Sequence, residues 1–207
     1  GSTNGMVRFN TTACLQSGVP GGGYDCYNVR CGASLRDFGG QNQIQAGFFG
    51  QGSDPFDGVV MLNGLVEPEL DVKVHRLSDF SFSGGLPSAP STVPIELVAL
   101  NLVSCQPITV TYNGGQSSAL WDVNVSLSPS PPSQGTMTAR KTHANGGTFD
   151  SFFDIRPMFT FTKVSNPAII KIHPYTDLVV HLSTTEPHSW QDTSPKPNPP
   201  CNGNGFY

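Results

Sequence analysis

Charge is what this sequence has least of. Eleven Lys and Arg and 15 Asp and Glu make up 13% of 207 residues, against about a quarter in an ordinary globular domain. The basic residues are scattered, so no stripe exists to follow a nucleic-acid backbone or to hold an anionic membrane surface. No run of 18 apolar residues occurs, which excludes a transmembrane helix. Signatures of chemistry are missing as well. There is no Gly-x-Ser-x-Gly elbow, no His-Glu-x-x-His zinc pattern, no Walker loop, no dinucleotide fingerprint and no haem-attachment motif. Amphipathic helical periodicity of useful length is also lacking. These absences favour a non-enzymatic, β-structured protein.

What the chain does have is turn formers and aromatics. It carries 23 Gly and 18 Pro beside 13 Phe, 5 Tyr and 2 Trp. Short apolar runs broken by Gly/Pro turns predict many short strands rather than disorder. The clearest is residues 121–127, where Trp121, Val123, Val125 and Leu127 alternate with Asp122, Asn124 and Ser126. Residues 108–112 precede it across Asn113-Gly114-Gly115, a tight-turn sequence, which predicts a hairpin. Residues 69–77 alternate in the same way, with Leu70, Val72 and Val74 on one face. Further strands are expected at 44–49, 59–62, 149–153, 155–164, 168–172 and 178–182. Residues 95–104 are apolar on both faces; the flanking Pro94 and Pro107 favour a buried strand over a short helix. Residues 136–143 are polar and read as an edge strand. Pro157 requires an edge or a bulge.

The expected architecture is an antiparallel β-sandwich, jelly-roll or Ig-like, of about ten strands. The chain divides into an irregular Cys/Gly-rich segment (1–40) with a candidate exchanged strand, a sandwich domain (41–192) and a Pro-rich extended tail (193–207). The opening Gly1-Ser2-Thr3-Asn4-Gly5 fits a mature N-terminus after signal removal, or a cloning scar. Of five cysteines, Cys14, Cys26 and Cys31 sit in a Gly-rich region unable to build a core. One disulfide is expected among those three, in an oxidising, extracytoplasmic compartment. The odd count leaves a cysteine unpaired or paired between chains.

Candidate ligand sites are few. Calcium is the one cofactor the pattern suggests, through Asp54 and Asp57 in the 52–58 turn and Asp150 and Asp154 around Ser151-Phe152-Phe153. Glu67, Glu69 and Asp71 also share a strand face. The competing reading is ordinary turn carboxylates. His173, His181 and His188 fall within sixteen residues, without the spacing of a metal site. Trp121, Trp190 and Tyr175 could stack on sugars, although the alternation of Trp121 with Val123 points it into the core. Asn10-Thr11-Thr12 and Asn124-Val125-Ser126 are formal glycosylation triplets.

Two blocks carry a resemblance: residues 98–104 through Pro107-Ile108-Thr109-Val110-Thr111-Tyr112-Asn113-Gly114-Gly115 to Trp121-Asp122-Val123, and Lys141-Thr142-His143-Ala144-Asn145-Gly146-Gly147-Thr148-Phe149-Asp150-Ser151. Over this middle third the chain resembles uncharacterised exported proteins of planctomycete-type environmental bacteria. The resemblance implies export to the bacterial surface or exterior and a β-rich fold; it implies no activity.

The functional expectation is an extracellular structural protein, a self-assembling subunit of a surface fibre or layer. Subunits would join as a homo-oligomer or polymer by strand addition through terminal segments, with Val7, Phe9, Trp190, Phe206 and Tyr207 as assembly residues. The alternative is a secreted carbohydrate- or calcium-dependent adhesion module, and behind it a secreted hydrolase.

Overall fold

The computed structural model describes residues 24–27, 31, 34–64, 71–144, 146–174, 180–183 and 188–191. The fold is all-β, with fourteen strands numbered in chain order and one 3-10 turn (Gly40–Asn42) among the described residues. The first sheet holds β1 (Tyr24–Tyr27), β4 (Val72–Arg76), β5 (Ser91–Leu100), β9 (Ser133–His143) and β10 (Gly146–Ile155), with β13 (Val180–Ser183) and β14 (His188–Gln191) both on the outer side of β10. The second runs β12 (Ile170–Pro174), β11 (Pro157–Lys163), β8 (Ser117–Leu127), β6 (Leu102–Ser104), β3 (Val59–Gly64) and β2 (Ser34–Asp37), with β7 (Ile108–Tyr112) also on β8. All these pairings are antiparallel.

Period-two alternation places the core. On β8, Trp121, Val123 and Val125 are buried while Asp122 and Asn124 are exposed. Their neighbours Lys163, Phe161 and Phe159 on β11 face the same way by register. The first sheet contributes Val72, Val74, Val93, Ile95, Leu97, Met137, Ala139, Phe149 and Phe153 to one continuous cluster. A hairpin forms around the expected Asn-Gly turn, but with a corrected partner: residues 108–112 pair with 117–121, so that of the run 121–127 only Trp121 lies opposite β7, while 122–127 pair with β11 and, at Asn124 and Val125, with β6. Asn113, Gly114 and Gly115 are all left-handed there, at φ of 54°, 69° and 84°, a run that glycine adopts without a Cβ clash.

Two runs of chain serve both sheets. Asn101 alone separates β5 from β6, and Arg156 alone separates β10 from β11. The amide of each corner residue is satisfied. Asn101 N–H donates to the Asp71 carbonyl at 2.7 Å and Arg156 N–H to Ser133 Oγ at 3.1 Å. Residues 95–104 are therefore strand, as the flanking prolines indicate, but split between two layers. Pro157 opens β11, a position where its missing N–H interrupts little of the ladder.

The second sheet curls. Phe38, just beyond the terminal strand β2, meets Phe159 and Phe161 of β11 at 5.4 and 6.3 Å between ring centroids. The concave side is filled by residues 44–56, where the sequence predicted a strand at 44–49. That expectation is corrected. Residues 46–49 are a turn, held by paired Ile44–Phe56 backbone hydrogen bonds of 2.9 Å. The apolar residues are there because Ile44, Phe49 and Phe56 fill the hollow of the sheet, not because they line a ladder.

Two further expectations change. Residues 136–143, read as an edge strand, lie in β9 between β5 and β10. Their polar character belongs to one face, since Met137 and Ala139 are fully buried on the other. Within 1–40, β1 and β2 add one strand to each sheet. The disulfide joins Cys31 to Cys105 (Cα–Cα 5.7 Å), 74 residues apart, rather than to Cys14 or Cys26. It pins the chain ahead of β2 to the turn after β6, where Cys105 N–H already bonds the Met61 carbonyl at 2.8 Å. Cys14 and Cys201 lie outside the described residues, and Cys26 sits on β1 opposite Lys73.

Closing a loop of that length restricts the unfolded chain by about 4 kcal/mol in the chain-entropy treatment. Cys105→Ser, or reduction of the bridge, is expected to lower the unfolding free energy by roughly that amount. Denaturant melts with and without reductant provide the check, and coincident melts would show that the bridge contributes nothing.

Candidate functional site

The concave face of the second sheet builds a mixed aromatic and basic mouth. Three register rows define it. Trp121, Lys163 and Ile169 form one; Val123, Phe161 and Lys171 the next; Val125, Phe159 and His173 the third. Phe48 covers this block from the 44–56 segment, with its ring edge-on to Phe161 at 5.8 Å and to His173 at 5.4 Å. Phe49 beside it meets Phe161 and Trp121, each at 5.1 Å. Lys163 Nζ stands 5.9 Å from both the Tyr112 and Trp121 rings, a cation–π arrangement. The buried Arg36 of β2 lies over Phe38 at 5.4 Å. Inner residues turn partly solvent-exposed toward β12, where Lys171 and His173 are half-buried.

The electrostatics follow from that placement. Burial among rings holds the His173 pKa below its ordinary 6.5, and the neighbouring Arg36 guanidinium pushes the same way. His173 is thus neutral near pH 7. No acidic residue occupies the nine inner positions of the block.

On its outer side β12 is apolar. Ile170 and Ile172 are each 53% exposed, and β12 pairs with β11 alone among the described residues. A sheet edge with unpaired backbone groups and branched apolar side chains is a template for another strand.

The calcium candidates have separate positions. Asp54 accepts from Gly114 N–H at 2.8 Å and Gly115 N–H at 2.9 Å, one through each carboxylate oxygen, and so pins the 44–56 segment to the β7–β8 turn. Gly114, the Thr111 hydroxyl and Gly115 hold its pKa below the ordinary 3.8 against a smaller opposing effect of desolvation. Asp57 is exposed in the same segment. Asp150 and Asp154 lie on β10 in the other sheet, opposite Thr138 and Gln134. No three His, Cys, Asp or Glu converge on a metal-sized point among the described residues. Asp71 is buried against Gly64, where a Cβ would overlap its carboxylate; Glu67 and Glu69 lie outside the described residues.

The histidines do not converge. His173 belongs to the second sheet, whereas His181 and His188 are on β13 and β14 of the first. Trp121 is fully buried and unavailable for stacking on a sugar. Trp190 is on β14 opposite Gly147. Val7, Phe9, Tyr175, Phe206 and Tyr207 lie outside the described residues. The sequence reading missed Phe48, Lys163, Lys171 and Arg36. A Lys-x-His alternation within an apolar strand (Lys171, His173) was the available signal.

No helix among the described residues is long and apolar enough to cross a membrane. Comparison with family models, with curated proteins and with solved structures gives no match.

Two titrations follow. Asp54 has a depressed folded pKa, so its contribution is present above pH 3.8 and is lost as pH falls through the lower folded value. Asp54→Asn retains an acceptor but loses the charge. It is expected to lower the melting temperature at pH 7 and to flatten the acid limb of the stability profile; an unchanged limb would show that the turn does not use the charge. For His173 the unfolded chain takes up a proton first. Stability therefore declines as pH falls from about 7 through 6.5 toward the lowered folded value. His173→Gln should remove that decline, measured by denaturant melts between pH 5 and 7.5.

Proposed function

We propose that this chain is an exported, non-enzymatic structural protein whose copies join by strand addition at the open edge of β12. The reading invokes no reaction. Its main support is the pair Ile170 and Ile172, which project side by side from a strand with one edge unpaired among the described residues. A strand added there would continue the ladder and set its own side chains beside both isoleucines. Fully burying a branched aliphatic side chain contributes about 1.5–3 kcal/mol; with each isoleucine 53% exposed, at most about half of that is available per side chain, and the added ladder hydrogen bonds supply the rest of the contact.

The segment Met6-Val7-Arg8-Phe9 of a neighbouring copy has the required pattern. Val7 and Phe9 are two residues apart, the spacing that sets both on the same face as Ile170 and Ile172. A segment of one copy added to the edge of the next makes a head-to-tail contact, which propagates into a filament when the rotation between copies does not close a ring. The Cys31–Cys105 bridge fits an oxidising exterior, and low charge suits extended β contact surfaces.

The test is assembly itself. The full chain should elongate into fibres or ladders of oligomers in negative-stain microscopy and sedimentation. Ile170→Lys with Ile172→Lys, or removal of residues 1–12, should leave monomers with an unchanged melting temperature. A wild-type chain that stays monomeric at high concentration, or a variant that polymerises equally, would end the proposal.

A further inference from the structure

We infer that filaments of this chain pair laterally, the outer face of the second sheet in one filament packing on the same face of a second copy in the other. The inference rests on the filament reading above and supplies the partner of a face which that reading leaves open.

Strand addition acts in the plane of the sheet. Side chains stand roughly perpendicular to that plane, so a strand laid along β12 sits beside Ile170 and Ile172 and leaves the face above them open. That face continues across the sheet. By register Ile170 is level with Thr162, and Ile172 with Thr160. Just past the end of β11, Val164 N–H donates to the Leu120 carbonyl at 3.0 Å. Alternation sets these two side chains, 42% and 47% exposed, on the same side. Aliphatic and threonine side chains thus run together over β8, β11 and β12, the material that two packed sheets interdigitate in a sandwich. Contiguous exposed apolar surface of this kind marks a contact.

Charge decides the occupant. On β7, β8, β11 and β12 the outward positions hold one charged residue, Asp122. The outward face of the first sheet differs, since Lys73, Glu96, Arg140, Asp150 and Asp154 alternate there with buried neighbours. An unrelated protein surface brings a charged residue at about every fourth position. Each would lose water against the second sheet without an opposite charge to meet. A lipid surface is held by Trp, Lys or Arg beside the apolar residues, and none stands at these outward positions. A second copy brings the same nearly uncharged, β-branched surface. One pair of half-exposed faces is too small to offset the freedom lost when two separate copies associate, so free copies stay single. Along a filament the contacts add without that loss recurring at every subunit.

The experiment uses the full chain under conditions in which it elongates. Negative-stain microscopy and mass per unit length should show paired filaments. Leu120→Lys and Leu120→Glu should each elongate as before but as single filaments, with unchanged melting temperatures because the side chain is already half-exposed. Mixing filaments of these two variants should restore pairs, as opposite charges meet across the contact. Asp122→Asn removes the one like charge the two faces share and should bring pairing on at lower protein concentration. Thr136→Lys, on the outward face of the first sheet, is the control and should pair as wild type. Wild-type filaments that are single, pairs that persist in both Leu120 variants, or mixed variants that stay apart overturn this inference while leaving strand addition in place. A chain that never elongates ends both. Single filaments that bind phosphatidylcholine vesicles, and lose them with Leu120→Lys, would assign the face to lipid and overturn the pairing.

Discussion

The packing of Phe49 between Phe161 and Trp121 is the contact on which the shape of the second sheet rests. Each ring lies 5.1 Å from Phe49, and Phe49 comes from a segment outside the ladder. Three large rings in one layer need a hollow, and the sheet provides it by curling until Phe38 at its far end reaches Phe159. Deleting a buried aromatic of this kind costs about 3–5 kcal/mol. That is a large fraction of the stability of a domain. The curl also explains the mouth. Phe48 is bonded to Phe49 and stands edge-on to it at 4.9 Å, so the ring that seals the core forces its neighbour to the rim beside His173.

Much of the layer structure was legible in residue order. Trp121 through Leu127 alternates so regularly that one face had to be interior, and Asn113-Gly114-Gly115 marked the turn beside it, although β8 begins at Ser117, four residues before the alternation shows it, and it is 117–121 that pair with β7. The limits are equally physical. Residues 44–49 have the apolar content of a strand, but Gly47 and Gly50 are left-handed, at φ of 84° and 126°, and the segment turns. Composition cannot tell a ring that lines a sheet from a ring that fills one. In β9 the inward residue Ala139 is too small to mark a face, so the outward Thr and Arg dominated and a central strand looked peripheral.

The candidate site was less legible because it is made by tertiary closure. Lys171 and His173 share a face with Phe161 and Phe159 only by register, and Arg36 reaches them only by the curl. No linear spacing joins residues 36, 48, 163 and 173. The disulfide has the same character: Cys14, Cys26 and Cys31 are neighbours along the chain, but the pleat brings Cys31 to Cys105. In contrast, Asp54 was visible as a turn carboxylate. Its use is structural, tying one loop to another through two amides.

The long connection from β4 to β5 lies wholly inside the span from Cys31 to Cys105. It is rich in Ser and Gly, its tip is exposed, and such tips are the favoured points of attack for proteases. A cut there divides the polypeptide without releasing either piece, because sulfur still joins them and β4 and β5 remain laced together. Outside a cell, where degradative enzymes are common and replacement is slow, a molecule wired in this way would outlast the breaking of its own main chain.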